Sequence, residues 1–121
     1  MLQSIVIDDH EFQMAFEDKA FPYNSRNAKI IRYILGRIEK FKGSSSDVWF
    51  DDDNASIEHI LPQNFINWDI DETQATRMLY KLGNTCILEL KLNKELQDAN
   101  FEAKKEIYKK SAFLYKDQKL F

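Results

Sequence analysis

One cysteine in 121 residues leaves no internal disulfide to staple the fold and no thiolate set to hold zinc. That residue, Cys86, lies in an apolar run and reads as a small buried hydrophobe in a protein of the reducing cytosol. Glycine is nearly as scarce. The three glycines, Gly36, Gly43 and Gly83, form no phosphate-cradling loop, so nothing here grips a nucleotide in that way. No apolar run approaches the roughly 18 residues of a membrane span. The opening Met1-Leu2-Gln3-Ser4 lacks the basic stretch that begins a signal peptide. The formal net charge is only −3, which exerts no global pull toward nucleic acid or membrane. Internal repeats and low-complexity segments are also missing.

What is present suffices for one core. The apolar share is 44%, and nine Phe, five Tyr and two Trp supply large surfaces to bury. The length fits one domain or a piece of a larger chain. Charge is unevenly placed. Residues 51–72 hold seven acids and no Lys or Arg, whereas residues 91–121 hold eight Lys against five acids. Both stretches read either as solvated surface or as a cation-attracting end beside a phosphate-attracting end.

In chain order, Asp8 or Asp9 caps a helix expected to bury Phe12, Ala15, Phe16 and Ala20, ended by Phe21-Pro22. His10 reads as a surface residue. The clearest helix covers residues 25–42, capped by Asn24 or Ser25. Its stripe is Ile30, Ile31, Ile34, Leu35, Ile38 and Phe41, and Gly43 stops it. Gly43-Ser44-Ser45-Ser46 is a flexible connection, and Val48-Trp49-Phe50 is a short apolar patch. Asp51, Asp52 and Asp53 then read as a solvated turn rather than a metal site, because consecutive acids converge poorly on one ion. Phe65 and Trp68 tuck into the core edge. Asp71 caps a third helix carrying Ala75, Met78, Leu79 and Leu82, stopped by Gly83. Asn84 to Leu90 reads as a strand, Leu92 to Gln97 as a short helix, and Asn100 caps a last helix over 101–111 with Ala103, Ile107 and Tyr108 inward. The class is α+β, mostly helical: two helices, then a core of two strands and a helix.

The focal stretch is Ala55-Ser56-Ile57-Glu58-His59-Ile60-Leu61-Pro62-Gln63, a short strand running into a bend at Pro62. Neighbouring strand residues face opposite ways, so Glu58 and His59 share a site only where the strand ends or bends. Asn84 opens the second strand and Asn93 follows nine residues later. Taken singly, Glu58 reads as a surface acid, His59 as a structural histidine, Asn84 as a turn residue and Asn93 as a helix cap.

Taken in order, these residues resemble the HNH (His-Me finger) nucleases, and most closely the HNH-like C-terminal domain of GmrSD-type restriction endonucleases. The matching positions are Ile57 to Gln63, Trp68, Gly83-Asn84, Asn93, and Asn100-Phe101, Lys104, Tyr108, Ser111, with a helical lead-in from Tyr23 to Glu39. The likeness covers roughly residues 20–112. It implies a ββα-metal core over 51–121 behind a helical lead-in over 1–50. It also implies a metal-dependent endonuclease in which His59 is the general base and Asn84 orients it through its loop. Glu58 and Asn93 would ligate one Mg²⁺ or Mn²⁺. Glu58 stands where Asp is common. Asn93 stands where His is common, and its neutral carbonyl is the weaker ligand. Lys91, Lys94, Lys104 and Lys105 meet the DNA backbone or are solvated. The family further implies an N-terminal ParB-like nucleotide-binding region in a longer protein, and cytoplasmic restriction of phage DNA carrying modified cytosines. Two alternatives stand beside this reading. One is a catalytically degenerate DNA- or protein-binding module of the same fold. The other is a purely structural helical domain, which would scatter His59, Asn84 and Asn93 in space.

Overall fold

A computed structural model describes residues 8–41, 55–96 and 99–111. The expected Gly43 stop, the Val48-Trp49-Phe50 patch, the acidic turn at Asp51 to Asp53, the first seven residues and the C-terminal tail lie outside them. The elements in order are α1 (Asp9–Asp18), α2 (Ser25–Phe41), β1 (Ala55–His59), α3 (Glu72–Leu79), a 3₁₀ turn (Leu82–Asn84), β2 (Thr85–Glu89), α4 (Leu90–Leu96) and α5 (Phe101–Tyr108). The chain is mostly helical around a two-stranded antiparallel sheet, the α+β class that the sequence predicts.

Side-chain caps begin α1, α2, α3 and α5. The carboxylates of Asp8 and Asp71 accept the amides of Glu11 and Gln74 at 2.7 and 3.2 Å. Asn24, rather than Ser25, caps α2 by accepting from Asn27 N at 2.8 Å, and Asn100 accepts from Ala103 N at 3.0 Å. Each satisfies an amide that has no intrahelical partner.

β1 and β2 pair in the register Ala55↔Glu89, Ile57↔Ile87, Glu58↔Cys86 and His59↔Thr85. Alternation divides the sheet into two faces. Ala55, Ile57 and Ile87 join Phe21, Ile31 and Leu82 in one buried cluster, with Ala28, Ile34 and Leu35 of α2 packed against it. Leu88 joins Leu96 and Tyr108 in the other, flanked by Leu92 and Ile107. The sheet therefore lies between α2 on one side and α4 with α5 on the other. Cys86 is buried, as its apolar run implied.

Several expected core positions are not buried. No residue of α1 is buried, and Phe12 and Phe16 are 58% and 37% exposed. Among the described residues α1 is held at its C-terminal end, by the Asp18–Lys81 ion pair at 3.7 Å and the adjoining Ala20–Lys81 bridge, and most of its apolar stripe stays exposed. On α2, Ile31 is buried whereas Phe41 is 93% exposed, because the helix runs past the short sheet. Met78 is also exposed, α3 ends at Leu79, and Gly83 sits in the 3₁₀ turn instead of stopping that helix. On α5 it is Lys104, not Ala103, that faces inward. No helix of the described residues is long and apolar enough to cross a membrane.

Ile87 is 2% exposed at the centre of the first cluster. Ile87→Ala is expected to lower stability by about 2–5 kcal/mol in chemical denaturation. Phe12→Ala, on the uncovered helix, is expected to stay within roughly 0.5 kcal/mol of the parent.

Candidate functional site

β1 ends at His59, and the chain turns at once through Ile60-Leu61-Pro62. That ending brings Glu58 and His59, which leave the strand on opposite faces, to the lining of one small cavity. The cavity measures about 240 Å³ and is also lined by Tyr23, Ile57, Pro62, Gln63 and Asn93.

Asn84 builds the turn. Its Oδ1 accepts from Leu61 N at 2.8 Å, and its Nδ2 donates to the carbonyls of Leu61 and Leu79, both at 3.0 Å. Its own carbonyl accepts from Ile60 N at 2.9 Å. The side chain is buried and bonded entirely to backbone. Asn84 thus clamps the chain just after His59, and its side chain acts on the site through the backbone of that turn.

His59 stands between two rings. Tyr23 meets it edge-on at 5.7 Å between centroids, and Tyr80 at 6.4 Å. Its Nε2 is buried and bonded to none of the described residues. Buried polar atoms are rarely left this way, and each calls for an explanation, a catalytic role or a bound water or ion among them. Burial, helped by the nearby Lys104 ammonium, holds the imidazole pKa below its usual 6.5. His59 is therefore neutral at neutral pH, the form able to accept a proton.

Glu58 is 5% exposed. Its Oε1 accepts from Lys104 Nζ at 2.5 Å and from Tyr108 Oη at 3.0 Å. Lys104 Nζ also donates to the carbonyl of His59 at 2.9 Å and lies 5.8 Å from the centre of the Trp68 ring. Burial raises the Glu58 pKa above 4.5, and the pull of Lys104 and Tyr108 opposes it only in part. Asn93 approaches from α4. Its Nδ2 donates to Ser56 Oγ at 2.7 Å and to the carbonyl of Ile57 at 3.3 Å, which leaves its Oδ1 without a partner among the described residues.

Among the residues that line the cavity, Glu58 and Asn93 carry the side-chain oxygens expected to meet a hard cation, beside those of Tyr23 and Gln63. Among the described residues no group of three His, Cys, Asp or Glu is placed to hold a metal. Two protein oxygens suit Mg²⁺ or Mn²⁺ when waters and a substrate phosphate complete the shell. The residues present fit an ion bound in that open manner and do not form a closed cage.

Of the four lysines expected at a DNA backbone, Lys91 and Lys94 are exposed on α4. Lys105 is half-buried, paired with Glu102 at 2.9 Å and 5.2 Å from the centre of the Phe101 ring. Lys104 is corrected outright. It is fully buried, and an ammonium enclosed against Glu58 does not reach a phosphate backbone. His10 is exposed, as expected, and is not among the residues that line the cavity. His59 and Asn93 line one cavity and Asn84 clamps the adjoining turn, so the scattered arrangement of a purely structural domain is not what the chain adopts.

Reading the sequence alone missed the part played by Lys104 and Tyr108, and the rings of Tyr23 and Tyr80. The first pair had a signal. Positions 104, 108 and 111 share one face of a helix. That face carries Lys104 and Tyr108 to Glu58, and Ser111, just beyond α5, donates to Glu89 Oε2 at 2.8 Å. The two tyrosines lie far apart in the chain and carried no such signal.

A family model described as the C-terminal domain of GmrSD restriction endonucleases matches residues 6–120. No curated protein and no solved structure matches the chain.

Asn84→Ala is expected to strip the partners from three backbone groups and cost at least about 2 kcal/mol, read by denaturant unfolding. A proton-NMR titration of the two histidines is expected to place the His59 midpoint below 6.5. The sign for stability follows from that direction. The unfolded chain takes up the proton first, so the contribution of His59 is complete above pH 6.5 and is lost as pH falls through its folded value. His59→Gln is expected to remove that part of the acid loss. Glu58 acts in the opposite sense: its contribution is complete below pH 4.5 and is lost as pH rises through its raised folded value.

Proposed function

The chain belongs to the family of GmrSD restriction endonuclease C-terminal domains, and from that membership we propose that it is a metal-dependent DNA endonuclease domain of the HNH type. The observation that carries the reading is the orphaned Nε2 of His59, buried at the edge of a cavity that Glu58 and Asn93 also line. The reaction is hydrolysis of a phosphodiester. A water oxygen forms a bond to phosphorus, an ester P–O bond breaks, and the water proton passes to His59 Nε2. Asn84 holds the turn after His59, and Lys104 holds its carbonyl, so the ring is fixed before substrate arrives. Glu58 and Asn93 would hold one Mg²⁺ or Mn²⁺. When bound, that ion supplies neutralising charge to the phosphate and stabilises the leaving oxygen. Lys91 and Lys94, exposed on α4, would meet backbone phosphates in this reading. Recognition of modified phage DNA belongs, in this proposal, to a ParB-like nucleotide-binding region elsewhere in a longer cytoplasmic protein.

A second reading keeps the fold and drops the chemistry. The commitment of Glu58 Oε1 to Lys104 favours it, since that ion pair leaves only a thin oxygen set for a metal. Such a module binds DNA in a salt-dependent way without cutting it.

Supercoiled-plasmid nicking in Mn²⁺ or Mg²⁺ separates the two. The nuclease reading expects nicking by the parent chain, and loss of about 10² or more in rate in a folded His59→Ala variant. Cleavage unchanged in that variant would sink the assignment of the base. Salt-sensitive DNA binding with no cleavage by either protein would support the second reading.

A further inference from the structure

The site already contains a cation, and the chain supplies it. Lys104 is fully buried on α5. Its Nζ lies 2.5 Å from Glu58 Oε1 and 2.9 Å from the carbonyl of His59. Tyr108 Oη adds a second hydrogen bond to the same carboxylate oxygen at 3.0 Å. One of the two carboxylate oxygens of Glu58 is therefore fully engaged, and the negative charge is already offset. A divalent ion that used Glu58 would meet a partly neutralised ligand. It would also have an ammonium as its neighbour, and like charges repel strongly at such range in a low-dielectric pocket. Asn93, the other oxygen donor, is neutral and adds no charge to attract the ion.

We propose that Lys104 competes with a divalent cation for Glu58, so that the free chain binds the ion weakly and takes it up fully only together with a phosphate group. The proposal rests on the reading that Glu58 and Asn93 hold the ion. Its physical basis is charge balance. With Lys104 in place the Glu58–Lys104 pair is neutral, and an added dication makes the pocket positive. A substrate phosphodiester restores the balance and brings the oxygens that two protein ligands leave lacking. Binding of ion and phosphate is then positively coupled, each tightening the other by the same factor.

The test is a Mn²⁺ titration without DNA, followed by the electron paramagnetic resonance of the free ion, on the parent chain, Lys104→Met, and Lys104→Met with Glu58→Gln. Lys104→Met is expected to bind Mn²⁺ at least about tenfold more tightly than the parent, and the double variant to lose the gain. Measurable and equal binding by parent and Lys104→Met overturns the role of Lys104 while leaving the metal site standing. Binding by neither overturns both. If thermal melts show that Lys104→Met does not fold, the ammonium resonance of Lys104 in the parent chain is followed through a Mg²⁺ titration. A shift that saturates with the ion supports the competition. A resonance unmoved at saturating Mg²⁺ overturns it.

Discussion

The ion pair between Lys104 and Glu58 is the interaction on which the rest of the site leans. Taking a carboxylate and an ammonium out of water costs several kcal/mol for each ion, and mutual attraction offsets that cost only with good geometry and further hydrogen bonds. Both conditions are met here. Tyr108 adds a bond to the carboxylate, and the His59 carbonyl takes another from the ammonium. The pair also explains why α5 sits where it does. A helix of eight residues has little stability alone and depends on what it packs against. Tyr108 anchors it in the cluster with Leu88 and Leu96, and Lys104 on the same face anchors it to the end of β1. Losing one partner would strand a buried charge, at roughly 3–5 kcal/mol. The pair is thus a tether that fixes helix, strand end and the backbone of His59 together.

The two neighbours at that strand end are treated differently because they face different elements. His59 points to the side of α2 and meets aromatic rings, whereas Glu58 points to the side of α4 and α5 and meets a cation and a hydroxyl. Desolvation acts on both and moves them in opposite directions, the acid up and the base down. Each shift favours the uncharged form. With the Lys104 ammonium offsetting the Glu58 carboxylate and His59 neutral, the site at rest carries little net charge, which suits a polyanionic substrate better than a bare carboxylate would.

How much of this was legible in the chain depends on the range of the forces involved. Helix caps are local, so Asp8, Asp71 and Asn100 could be read directly from the sequence and serve as caps in the fold. The strands were legible because Ile57 and Ile87 sit in short β-favouring runs, and the bend was legible from Pro62. Burial along the helices was less so. A stripe at helical spacing says that a face is apolar but not how far a covering surface extends, and Phe12 and Phe41 show the difference. Lys104 was read as a surface charge because lysine usually is one. What makes it an exception is Glu58, 46 positions away, which the antiparallel register and the packing of α5 bring to it.

The walls around His59 raise a last physical question, since a base must be dry enough to stay neutral and open enough to be reached. The two rings that enclose it are not equivalent. Tyr80 is anchored: its hydroxyl accepts from Gln63 Nε2 at 3.2 Å, and its carbonyl accepts from Phe21 N at 2.7 Å. Tyr23 is 57% exposed and precedes the cap of α2. One wall is therefore held on both sides, and the other stands partly in solvent at the mouth of the cavity. Burial desolvates the imidazole, and of the two rings Tyr80 is the one held by hydrogen bonds among the described residues. In the proposed nuclease, burial keeps the ring neutral, and a reactant would reach it on the more exposed side, past Tyr23.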